Sequence, residues 1–86
     1  MALTVQVHPD PPVPGDEVCV TASGPGPGRP TVTVYVNGQP PQPLPSTAET
    51  PGATLHECFV VPAGAWQLII LVQQPPCQSE SLTWSF

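Results

Sequence analysis

The sequence predicts an all-β Greek-key sandwich of about seven antiparallel strands, forming one domain over residues 1–86. Three observations lead there. Apolar residues recur at every second position in several short runs. No window carries the 3.6-residue periodicity of an amphipathic helix. Gly- and Pro-rich breaks punctuate the chain at intervals of about ten residues, the spacing of short strands joined by turns. Eighty-six residues suffice for one small core and leave no chain for a second.

The elements follow in order. Leu3, Val5 and Val7 alternate with Thr4, Gln6 and His8 in a first strand, which PDPPVPGD interrupts with residues that refuse ladder positions. Val18, Val20 and Ala22 form the inward face of a second strand. The bridge SGPGPGRP comes next, then a third strand with Val32, Val34 and Val36 inward, closed by the turn pair Asn37-Gly38. Four prolines between Gln39 and Pro45 leave room for only a short edge strand. Leu55, Phe59 and Val61 mark an inward face across residues 53–61, with Glu57 as its awkward member. Pro62-Ala63-Gly64 ends that strand. Trp66, Leu68, Ile70 and Val72 are expected on the inward face of the sixth strand, and Leu82, Trp84 and Phe86 on that of the last.

Composition narrows the function classes. Fifteen prolines and only 8% charged residues would suit a disordered chain. The prolines cluster between β-branched runs, however, and 40% of residues are hydrophobic, which favours a folded domain with stiff loops. Asp10, Asp16, Glu17, Glu49, Glu57 and Glu80 face a single cation, Arg29, for a net charge of −5. Nucleic acid and anionic membrane surfaces reward clustered Lys and Arg, so neither is an expected partner. The run Leu68 to Val72 is too short to span a bilayer, and no membrane insertion is expected. The opening MALTVQVHPD lacks the basic and apolar regions of a signal peptide. A surface so poor in charge must be covered by Thr, Ser, Gln and Pro, or by a neighbouring subunit.

The segments LTVQVHPDPPVPGDEVCVTASG, VTVYVNG and VPAGAWQLIILV together resemble the immunoglobulin-like domains of bacterial and phage extracellular and virion proteins. The resemblance covers most of the chain and implies a fold superfamily. In those domains a PGD segment leads into the second strand and a Pro-Ala-Gly turn precedes the sixth. The chain departs from the antibody pattern, whose disulfide joins the second and sixth strands, because Trp66 to Gln73 contains no cysteine. Nor does the third strand carry a tryptophan. The likeness is to a minimal immunoglobulin-like scaffold.

Strand parity turns Cys19 and Cys58 outward. An immunoglobulin-like arrangement sets the second and fifth strands side by side, so a Cys19–Cys58 disulfide is open to it, clipping a sheet and not the core. Three free cysteines is the alternative. Cys77 follows Pro75-Pro76 in a loop, where it is free or bonded to a partner chain. No pair of cysteines has C-x-x-C spacing, and neither a metal site nor a cofactor is expected. His8 and His56 lack the local context of a catalytic triad, and Asp16 and Glu17 point to different faces, so no enzyme is expected. SGPGPGRP lacks the Gly-Lys-Ser/Thr ending and the following helix of a phosphate loop.

The remaining signal is apolar residues at outward positions. Ala65, Ile69 and Leu71 on the sixth strand and Tyr35 on the third predict a contact face, with Arg29 as a further surface contact. The expected partner is protein: a capsid or other surface assembly, or a second copy of the chain. The resemblance implies, for a sequence that is a whole gene product, a structural protein of a phage virion surface, such as a capsid decoration or accessory protein. The alternative is a spacer, adhesion or carbohydrate-binding module of a secreted or cell-surface protein.

Overall fold

The computed structural model describes residues 3–24, 28–44, 54–75 and 78–86. Seven strands run through them: β1 Thr4–His8, β2 Glu17–Ser23, β3 Thr31–Val36, β4 Gln42–Leu44, β5 Leu55–Val60, β6 Gln67–Gln74 and β7 Gln78–Ser85. No helix occurs among the described residues. The strands form two antiparallel sheets, one in the order β1-β2-β5 and one in the order β4-β3-β6-β7.

The core lies between the sheets and is built from the alternation read in the sequence. Val18, Val20, Ala22 and Leu55 from the three-stranded sheet meet Val32, Val34, Leu68, Ile70 and Val72 from the four-stranded one, all buried. Each Val, Leu or Ile side chain removed from water in this way contributes roughly 1.5–3 kcal/mol. Val5, Val7, Val36, Phe59 and Trp84 close the margins of this core, half-buried. Glu57 stands opposite Val20 in the register, but β5 is an edge strand and the side chain is only half-buried.

The start of the sixth strand differs from expectation. Strand parity predicts Trp66 inward and Ala65 outward, yet Trp66 is 58% exposed and Ala65 is buried. The cause is Asn37. Its Oδ1 accepts from the backbone amides of both Trp66 (2.8 Å) and Gln67 (3.1 Å). Successive amides of an extended strand point to opposite edges, so two converging on one oxygen require a bend, and the bend shifts the parity. The turn bond from Ala65 N to Pro62 O then folds Ala65 inward. Phe86, expected inward at the end of the last strand, likewise lies beyond β7 and is 43% exposed.

Asn37 holds the loops at this end together. It sits at φ 54° and is followed by Gly38 at φ 69°, with Gln39 N bonded to Val36 O. Two successive positive φ values define the type I′ geometry that Asn-Gly favours. The side-chain nitrogen also donates to Gly64 O at 3.4 Å. Asn37→Ala is expected to lower stability by about 2–3 kcal/mol, through lost bonds and a strained φ. Asn37→Gly, which keeps the backbone freedom, should cost less. Urea denaturation of the two variants checks the order, and an Ala variant as stable as wild type would contradict it.

The Gly-Pro bridge between β2 and β3 carries the chain from one sheet to the other. Buried Gln74, at the end of β6, donates from Nε2 to Gly24 O (3.3 Å) and Gly28 O (3.0 Å), while Gly28 N donates to Pro75 O. A Cβ on Gly24 would collide with the Gln74 amide and Leu3, and one on Gly28 with the Pro75 carbonyl. Gly28 is required by close approach to the backbone of the β6–β7 connection, whereas at Gly24 the ends of the Gln74 and Leu3 side chains would have to shift. Pro25, Gly26 and Pro27 of the bridge lie outside the described residues.

Candidate functional site

Tyr35, Ile69 and Leu71 come together on the outer face of the four-stranded sheet. Tyr35 stands opposite Ile69 and Thr33 opposite Leu71 across β3–β6, and Ile69 and Leu71 face Thr83 and Ser81 on β7. All three apolar residues are half-buried by these neighbours. The outward positions of β3, β6 and β7 hold only Thr, Ser, Gln, Tyr, Ile and Leu, with no charged residue among them. Arg29 is exposed but stands before the opposite end of β3 from Tyr35, with roughly 13 Å of strand between Thr31 and Tyr35. It is not part of this patch.

The largest exposed apolar groups lie elsewhere. Val13, Val60, Trp66 and Phe86 all sit at one end of the sandwich, where β2 begins, β5 ends, β6 begins and β7 ends. Phe86 N donates to Trp66 O, tying the last residue to the bend. Strand alternation could not find this group, because its members lie at loops and strand ends, where parity lapses.

The open side of the sandwich between edge strands β1 and β7 forms a groove of about 420 Å³. Val5, Val7, Leu82 and Trp84 line it, with Gln6, His8 and Asp10 alongside. His8 and Asp10 are both exposed, so they do not make the buried His–carboxylate pair that acid–base catalysis exploits.

The outer face of the three-stranded sheet carries the sulfur chemistry. Cys19 and Cys58 are register partners on β2 and β5 and are joined by a disulfide, with Cα atoms 4.0 Å apart. That spacing is shorter than the roughly 4.5 Å of a non-hydrogen-bonded pair in an antiparallel ladder, the closer of the two pair types. Beside them, His56 Nδ1 lies 3.0 Å from Thr21 Oγ1, and its Nε2 lies 3.9 Å from Cys58 Sγ. One ligand atom from each of Cys19, His56 and Cys58 falls within 4.8 Å of the others. The two cysteines have a sequence separation of 39, so their meeting depends on the register of β2 against β5, and no local motif announces it. His8 is the register partner of Cys19 on β1. Cys77 lies outside the described residues.

Comparison with known proteins adds no family to this geometry: no family model, curated protein or solved structure matches the chain significantly.

Proposed function

We propose that the chain is a non-enzymatic immunoglobulin-like scaffold that works by protein–protein contact on the surface of a phage virion, as a decoration or accessory protein. The observation that carries the contact reading is the uncharged outer face of β3, β6 and β7 with Tyr35, Ile69 and Leu71 at its centre. Burying such a face strips no ionised group of its water, so docking a protein against it incurs no charge-desolvation cost. The fold reading is supported by the pairing of the first, second and fifth strands in one sheet and the third, sixth and seventh in the other. It departs from the constant-type antibody arrangement in that β4 joins β3. The virion setting rests on the resemblance of the three quoted segments.

The disulfide favours a second reading as strongly. Such bonds persist in oxidising surroundings, which virion exteriors share with secreted and cell-surface proteins. A spacer, adhesion or carbohydrate-binding module would therefore carry it too. Fractionation of the natural source separates the two. Co-sedimentation with virus particles is expected for the first. Recovery within a longer secreted or envelope-bound polypeptide would replace it with the second, and a free monomer in every fraction would contradict both.

A further inference from the structure

We propose that reduction of the Cys19–Cys58 bond converts the outer face of the three-stranded sheet into a zinc site, with Cys19 Sγ, Cys58 Sγ and His56 Nε2 as ligands. This stands apart from the contact reading, since it uses the opposite sheet. Three observations carry it. His56 and the two bonded sulfurs offer ligand atoms within 4.8 Å of one another, and on reduction the sulfurs part to the roughly 3.8 Å that two Zn–S bonds span. Zn–S and Zn–N bonds of about 2.3 and 2.0 Å at a tetrahedral angle set sulfur and nitrogen about 3.5 Å apart. Nε2 of His56 stands 3.9 Å from Cys58 Sγ, within a few tenths of an ångström of that value. Finally, Thr21 Oγ1 lies 3.0 Å from the other ring nitrogen. When Nδ1–H donates to that hydroxyl, Nε2 presents its lone pair on the sulfur side, the outer support that metal-bound histidines characteristically have.

The step balances with a dithiol or phosphine reductant. Two electrons and two protons pass to the sulfurs as the S–S bond breaks. A dithiol closes to its own disulfide, and a phosphine takes up oxygen from water. Zn²⁺ then displaces both thiol protons and forms two Zn–S bonds, with His56 third and solvent in the fourth position. The disulfide and the metal use the same two sulfurs, so each state excludes the other.

The test uses the full chain carrying Cys77→Ser, so that the third thiol cannot compete, reduced with a phosphine and titrated with Co²⁺ in the absence of oxygen. One equivalent should produce thiolate-to-cobalt charge-transfer bands and the intense visible bands of tetrahedral cobalt, and Zn²⁺ should displace it. The oxidised protein should give neither. His56→Ala should weaken binding at least about tenfold, and Thr21→Val about tenfold with recovery in Thr21→Ser. If the reduced chain unfolds, Zn²⁺ should restore its β-sheet circular dichroism. Failure of both binding and restoration would overturn the site. So would equal binding by the oxidised protein, or indifference to His56→Ala.

Discussion

Replacing both Cys19 and Cys58 with serine lowers the unfolding free energy by about 3–4 kcal/mol, the largest loss expected from any surface change in this protein. The bond closes a loop with a sequence separation of 39, and in the chain-entropy account a cross-link of that span removes about this much freedom from the unfolded chain. In a domain this small, such a loss lowers the melting temperature by on the order of 20 °C. The effect has a location as well as a size. β5 is an edge strand whose one sheet neighbour is β2, and the disulfide clips the two together at their middle. Amide exchange should therefore quicken first along β5. Calorimetry of the double variant, and of wild type under reductant with a chelator present, measures the loss. Melting within a few degrees of the oxidised wild type would show that the bond contributes nothing.

Ile70→Ala should cost a comparable amount, about 2–5 kcal/mol. Ile70 is fully buried on β6, between Val34 of β3 and Leu82 of β7 in the register, so its truncation leaves a cavity that two flanking strands cannot easily fill. Ile69 is the control. It has the same side chain on the same strand, but it is half-buried on the outer face. Ile69→Ala should cost about 1 kcal/mol or less, since little cavity can form there. Denaturant titration of the pair tests the inward and outward assignment of β6 directly, and equal losses would contradict it.

The interior was legible in the sequence because burial follows a period of two wherever a strand continues. Val18-Val20-Ala22, Val32-Val34 and Leu68-Ile70-Val72 are read in this way, and each set is buried. Parity fails where the strand stops. Trp66 lies one residue ahead of β6, and a side chain 29 positions earlier bends the backbone there. No local pattern encodes that bond. Gly28 is readable as a bridge residue, but the reason for it is the approach of the Pro75 backbone, which only the folded chain supplies. The same holds for Cys19, His56 and Cys58. Strand parity turns each outward, whereas their convergence depends on the register between β2 and β5. Tyr35, Ile69 and Leu71 were the easier case, since they lie on strands long enough to keep their alternation.

The most direct measurement of the contact reading is particle binding by Leu71→Glu, together with its mass by light scattering. Leu71 is half-buried on the outer face, opposite Thr33 and Ser81, so a carboxylate there can reach water in the free protein and the fold should persist. In a docked face the same carboxylate would be stripped of water without a partner, which costs several kcal/mol. The folded variant is therefore expected to lose binding to particles from the natural source and to run as a free monomer. A correctly folded Leu71→Glu protein that binds as wild type does would contradict the assignment of this face as the contact surface.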